Sequence, residues 1–287
     1  MTLLVRNEED ILDWNLRFHF EQGVAFVIAT DNNSTDATPD ILRHYEKEGR
    51  LRFIRERADD YSQSVWVTRM ARLAALEYGA DWVINNDADE FWWPRQGDLC
   101  TSLAAVPGEV GAVHCERLNF VPVGAPPAHQ AFWEQMIWRQ ARATNALEAK
   151  LPGKVCHRGT PQIRVAQGNH EVEGLDGLVQ EAGCIEILHY PMRSFAQFET
   201  KICLGGAAYE RNKQLPPSVG STWRHLYGLH CRGELRSWYD TQVLMESVAF
   251  GEAADGEQLV RDTRLRDYFL RRREGSGMKQ PIQAGHR

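Results

Sequence analysis

Short apolar runs at residues 3–5, 24–29, 51–54 and 82–85 alternate with segments of helical periodicity that stop at Gly23, Gly49 and Gly79. No other feature limits the fold as much. Brief apolar runs bounded by turn formers read as buried strands, and amphipathic stretches between them read as crossover helices. Helices are expected over residues 11–20, 39–48 and 63–78, which gives right-handed βαβ units and a parallel sheet. Each apolar run empties into a polar cluster: Arg6-Asn7-Glu8, then residues 30–39, then Asn85 to Glu90. Open α/β sheets bind ligands in the crevice outside the carboxyl ends of their strands, where these clusters would lie.

The third cluster is the most chemical. Asp87, Asp89 and Glu90 place three carboxylates within four residues, directly after Trp82-Val83-Ile84 and before Phe91-Trp92-Trp93. Carboxylates this close repel, and a hard divalent cation held by oxygen is the usual remedy, often with phosphate completing its shell. A polar turn after a core strand is the bland alternative.

Composition excludes several classes. The net charge of −6 offers no basic surface for nucleic acid. No apolar stretch approaches the roughly 18 residues of a membrane span, and residues 2–10 lack the long apolar core of a signal peptide. Six scattered cysteines without a Cys-x-x-Cys pair fit reduced thiols rather than disulfides or a zinc site. A cytoplasmic protein, at most peripheral at the inner face of a membrane, is expected.

After residue 94 the pattern loosens. Residues 110–115, 154–156, 162–165 and 184–188 read as strands, and 195–211, 235–250 and 259–273 as helices. Residues 132–140 fit either state. The segment 121–128 is rich in Pro and Gly, and the chain from 275 onward reads as disordered.

Three stretches in order, Val5-Arg6-Asn7-Glu8-Glu9, Asp31-Asn32-Asn33-Ser34-Thr35-Asp36 and Trp82 through Phe91, resemble the family 2-like glycosyltransferases. The resemblance is closest to the branch whose Asp-x-Asp continues as Glu-Phe, and Leu188-His189-Tyr190-Pro191-Met192-Arg193-Ser194 with Lys201 is similar to that branch as well. It implies a GT-A architecture: a Rossmann-like, mostly parallel central sheet flanked by helices, with a helical C-terminal extension. The expected organisation is a nucleotide-sugar-binding half at 1–93, an acceptor-side half at 94–215, the extension at 216–274 and a tail at 275–287. It further implies a UDP- or GDP-sugar donor, a glycan or other hydroxyl acceptor, and Mn2+ or Mg2+. Asn32 and Asn33 depart from the pattern, since common members carry two Asp and a Gly there. The Gln-x-x-Arg-Trp motif of processive synthases is missing, so single additions in surface glycan or polysaccharide synthesis are expected.

Residue roles follow from that resemblance. Glu8 and Asp31 would accept hydrogen bonds from ribose or base, although residues 31–36 also read as a turn with Asp36 or Thr38 as helix cap. Gln63 and Arg69 would reach the base or diphosphate. Asp89 and then Asp87 would bind the cation, Asp87 also contacting ribose. His189, or alternatively His170, would supply an imidazole ligand, which suits manganese. Arg193 and Lys201 would neutralise the departing diphosphate. Glu171 is the nominee for the base that an inverting transfer requires, with Glu173 and Glu90 as rivals. Phe91, Trp92, Trp93, Phe132, Trp133 and Trp138 would pack a core or stack on sugars.

Two other readings remain. A nucleotidyltransferase would also use carboxylates and a metal, but Arg6-Asn7-Glu8-Glu9 has no glycine to cradle phosphate. A non-catalytic nucleotide- or glycan-binding module is the third.

Overall fold

Strand β1 (Thr2–Val5) lies at the centre of a parallel array, with β2 (Val27–Asn32) on one side and β4 (Trp82–Asp87) on the other. Strand β3 (Leu51–Glu56) pairs parallel with β2. The computed structural model describes all residues except 61, 123–129, 217, 244–258 and 277–287. Helices α1 (Leu12–Glu21), α2 (Thr38–Lys47) and α3 (Gln63–Tyr78) make the crossovers, as the periodicity requires. Helix α3 stops at Gly79, whose φ of 58° is the left-handed cap conformation that glycine adopts without steric cost. Its Val67, Met70, Ala71 and Ala74 pack with Ile28 and Val83 in a buried cluster.

The sheet continues beyond β4 as a mixed one. Its order is β3-β2-β1-β4-β8-β6-β11-β5, with β8 (Lys154–Arg158) antiparallel to β4 and to β6 (Val110–Asn119). Strand β11 (Leu178–His189) and β5 (Glu90–Pro94) complete it. The fold is thus α/β of the GT-A type, a large curled sheet flanked by helices.

Why it curls can be derived from reach. Only Ala88 and Asp89 separate β4 from β5, and three Cα–Cα steps span at most about 11 Å. In a flat sheet β5, four places away in the order, would lie roughly 19 Å from β4. The antiparallel strands must therefore wrap until β5 returns to the end of β4. Glu90 and the strands β8 and β6 consequently share one enclosed space.

The two-residue turn is fixed from below by α1. Asn15, fully buried, donates through Nδ2 to the carbonyls of Ala88 (2.9 Å) and Glu90 (2.7 Å) and accepts from Asn86 Nδ2 (2.9 Å). One turn later His19 holds Asn15 O through Nδ1 (2.8 Å), while its Nε2 lies 3.2 Å from the amide of Trp92. The carbonyl and the amide fix the tautomer, with the proton on Nδ1. Phe18 stacks on Trp93 and meets Phe91 edge-on, so these aromatic residues serve the core.

Contacts divide the described chain into two units. The first comprises Met1–Arg117 and Pro152–Leu188, and includes α4 (Leu99–Ala104), the short pair β9 (Arg164–Val165) and β10 (Val172–Glu173), and a 3-10 turn at Gln167–Asn169. The second comprises Leu118–Leu151 and the chain from His189 onward. In it α5 (Phe132–Gln135) precedes β7 (Trp138–Gln140), so the 132–140 segment is helix and then strand. Helices α6 (Phe195–Arg211), α7 (Ser221–Cys231) and α8 (Leu235–Gln242) bury Met192, Phe198, Ile202, Leu226, Leu235 and Tyr239 together. The expected helix over 259–273 starts late: Leu259–Arg261 is a strand, β12, paired with β7, and α9 covers Arg264–Ser276. Of the tail expected to be disordered from 275, Gly275 and Ser276 instead end α9; the rest of it from 277, residues 123–128 of the Pro/Gly-rich segment and the expected continuation of α8 from 244 to 250 lie outside the described residues. No helix among those described is long and apolar enough to cross a membrane.

Two outcomes test this network. Asn15→Leu strands two buried carbonyls and is expected to lower unfolding free energy by about 2–4 kcal/mol in urea titrations. Burial, opposed by the Asn15 carbonyl, lowers the His19 pKa to about 3. The unfolded chain therefore binds the proton first, and stability falls as pH drops from about 6.5 toward 3. Between pH 7 and pH 5 the wild type is expected to lose about 2 kcal/mol relative to His19→Gln.

Candidate active site

The carboxyl ends of β1, β2 and β4 lie side by side. Leu4 of β1 pairs with both Thr30 and Asp87, and Val5 pairs with Asp31. With β1 between them, β2 and β4 are about 10 Å apart, so Asp31 and Asp87 bracket one stretch of the sheet edge.

The loops after β1 and β2 are laced together. Asn7 N donates to Ser34 Oγ (2.9 Å), Thr35 N to Asn7 Oδ1 (2.8 Å), and Glu8 N to Thr38 Oγ1 (2.9 Å). Glu8 is buried by this lacing. The N-cap of α2 is Ala37, without a side-chain cap bond, rather than Asp36 or Thr38; Asp36 lies one residue before it and accepts from Thr38 N (2.9 Å) and Glu9 N (3.1 Å). Asp31 accepts from Ser34 N (3.3 Å), and burial raises its carboxyl pKa against that bond. The two departures from the family pattern are structural. Asn32 Nδ2 reaches Ala58 O (2.6 Å), and Asn33 takes φ 60°, a left-handed conformation that asparagine tolerates and glycine commonly supplies. A hollow lined by Asp31, Asn33, Ser34, Arg43, Arg55 and Arg57 opens beside this edge. Gln63 accepts from Gly168 N (3.1 Å), and Arg69 pairs with Glu56 (3.3 Å) on the surface.

At the end of β4 the structure supplies a residue that the sequence did not reveal. Lys154, the first residue of β8, is 2% exposed, and its Nζ lies 2.5 Å from Asp87 Oδ2 and 3.4 Å from Glu90 Oε1. It also donates to Gly168 O (2.8 Å). Arg117 of β6 adds a second cation, with Nη1 at 3.3 Å from Glu90 Oε1 and Nε at 2.7 Å from Pro152 O. Asn169 Nδ2 takes the other oxygen of Asp87 (3.2 Å). Glu90 is fully buried, with Oε2 lacking a hydrogen-bond partner. Burial pushes its carboxyl up to about 7, Lys154 and Arg117 opposing, Asp87 and Asp89 reinforcing.

The 3-10 turn that meets Lys154 depends on Gly168. Its φ is 81°, and a Cβ there would lie 2.6 Å from the His170 ring. His170 Nδ1 is 2.7 Å from Gly153 O, so it carries the proton; burial, with Lys154 and Arg117 near, lowers its pKa to about 3 and keeps the ring neutral. Glu171 follows, exposed, and Glu173 is exposed on β10.

Asp89 sits buried in the two-residue link between β4 and β5; the other expected residues, His189, Arg193 and Lys201, belong to the second unit. His189 ends β11 with Nδ1 2.9 Å from Asn119 Oδ1. Asn119 Nδ2 donates to Gln140 (3.1 Å), so its oxygen accepts from His189. Arg193 is buried and donates to Tyr190 O (3.0 Å). Lys201 lies on α6.

The donor set can be compared with the expected cation. Among the described residues no three His, Cys, Asp or Glu side chains gather in a way that could hold a metal ion. Asp87 has both oxygens engaged within the protein, one by an ammonium. A second cation at Asp87 would face the fixed charge of Lys154, and in this arrangement Asp87 does not fit as a ligand.

Residues 5–103, about a third of the chain, match the model of glycosyltransferase family 92. That span holds Glu8, Asp31, Asp87, Asp89 and Glu90. The sequence resemblance pointed to family 2-like enzymes, so glycosyltransferase is the statement common to both. No curated protein matches the chain. Among solved structures, S. aureus TarS 1-349 in complex with UDP is similar at 12% identity and TM-score 0.41, over 86% of this chain and 75% of that one. The same TarS fragment with UDP-GlcNAc gives 11% and 0.42, over 84% and 82%.

Arg117→Met removes one of two cations from a buried carboxylate and orphans the Pro152 carbonyl. A loss of about 2–4 kcal/mol in unfolding free energy is expected, Lys154 retaining Glu90.

Proposed function

We propose that this protein is a glycosyltransferase that moves a sugar from a nucleotide-sugar donor to a hydroxyl acceptor with inversion, in surface glycan or polysaccharide synthesis. One observation carries the reading. The segment that matches a glycosyltransferase family model brings Glu8, Asp31 and Asp87 to the carboxyl ends of three adjacent parallel strands, where α/β sheets bind nucleotides.

Asp31, on the lining of the hollow, suits an imide or ribose hydroxyl, and Arg43, Arg55 and Arg57 on the same lining suit anionic groups. A base for the acceptor hydroxyl must reach it directly or through one water. Glu90 is enclosed and tied to Lys154 and Arg117, so the role falls to Glu171, the exposed carboxylate beside the 3-10 turn. Manganese or magnesium belongs to the reading as the ion to be assayed; no step is assigned to it.

UDP or GDP at about a hundredfold excess over Kd is expected to raise the melting temperature by about 5 °C or more, measured with Mn2+ and with EDTA in parallel. Asp31→Ala is expected to weaken that binding about tenfold, the loss of one charge-assisted hydrogen bond. Absence of a shift with every nucleotide, and no release of nucleotide from any nucleotide sugar, would overturn the reading.

A further inference from the structure

Lys154 has no part in the chemistry above, yet it is the costliest placement in the site. An ammonium with 2% exposure is retained only where its partners are fixed. Those partners are Asp87, Glu90 and the Gly168 carbonyl, at 2.5, 3.4 and 2.8 Å. Asp87 is thereby tied to the Gln167–Asn169 turn twice, through Lys154 to Gly168 and directly through Asn169. A divalent ion on Asp87 would sit beside the fixed positive charge of Lys154, and both oxygens already accept one hydrogen bond each.

We propose that Lys154 is the resident cation of Asp87, a positioning residue that keeps this carboxylate out of divalent-metal coordination and locks it to the Gln167–Asn169 turn. Asp87 then orients the sheet edge as a hydrogen-bonded group, and its capacity to bind a metal is latent. Removing the ammonium while keeping the bulk uncovers that capacity. The inference rests on the proposed function only in taking a divalent ion as the competitor, and its test uses metal alone.

Mn2+ titrations of the full chain at neutral pH without nucleotide, followed by the electron paramagnetic resonance of free Mn2+, compare wild type, Asp87→Asn, Lys154→Met and the double variant. With Lys154 present, Asp87→Asn is expected to leave Mn2+ affinity, whatever its level, within twofold of wild type. Lys154→Met is expected to bind at least tenfold tighter than wild type, and adding Asp87→Asn is expected to abolish that gain. This non-additivity separates an Asp87–Lys154 coupling from a general change of charge. Lys154→Gln replaces the methionine variant if near-ultraviolet circular dichroism shows the latter unfolded. A tenfold loss in Asp87→Asn alone, or no gain in the folded Lys154 variant over wild type, overturns the proposal. Failure of nucleotides to bind would sink the glycosyltransferase reading and leave this pattern of metal affinities untouched.

Discussion

A lysine ammonium shared by two carboxylates sets the terms for the rest of the first unit. Lys154 meets Asp87 at the last residue of β4 and Glu90 at the first residue of β5. Three carboxylates within four residues stay ionised at a buried sheet end only with positive charge close by. The chain meets that need from β8 and β6, with Lys154 and Arg117. Because burying such charges costs heavily unless each is matched, the cluster constrains where the two strands run. Strand β8 must deliver its first residue to the end of β4, and Arg117 must follow two residues after Cys115, which pairs with Lys154.

The curled sheet and the charge cluster thus require each other. A two-residue link forces β5 back toward β4, and the space so enclosed would hold unpaired carboxylates if β8 and β6 did not line it with cations. From the other side, α1 closes the same turn with neutral donors: Asn15 takes two carbonyls and His19 is the acceptor for a third backbone group, the Trp92 amide. Charge is neutralised within the curl, and the backbone's hydrogen bonds are met from the helix. The division has a physical reason, since amides and a neutral imidazole can satisfy backbone groups without adding charge that would itself need a partner.

What was legible in the sequence follows the range of the interactions. Residues 63–78 and 195–211 read as helices with the observed ends because periodicity is local, and Gly79 marks where the first stops; the structure adds Ser194 Oγ, which accepts from Gln197 N at 3.2 Å, as the cap of the second. Strand β5 was missed because Glu90-Phe91-Trp92-Trp93 shows no alternation, and its pairing lies on the far edge of the sheet beside β11. Residues 259–261 were absorbed into a helix because the partner that makes them a strand, β7, is more than a hundred residues earlier. At the site, the carboxylates announced themselves and the lysine did not. Lys154 opens a four-residue run in which Val155, Cys156 and His157 are also buried. A lysine heading a strand without polar alternation was the available signal, but it reads equally as a surface lysine at a strand start.

The missed residue alters the logic that the sequence suggested. From composition alone, clustered carboxylates imply an external cation, because only the acidic side of the balance is contiguous in the chain. The basic side is supplied by residues 27 and 64 positions later than Glu90, brought near by the antiparallel half of the sheet. Asp31 has Arg55 beside it on β3, but burial still raises its carboxyl pKa, and the charged groups near it line an open hollow rather than an enclosed space. The two acidic strand ends therefore differ in kind. Asp87 is neutralised within the fold and defines shape, while Asp31 sits where a ligand's own hydrogens can complete the arrangement. Under the proposed function, that asymmetry, rather than the number of carboxylates, places recognition at the β2 end and rigidity at the β4 end.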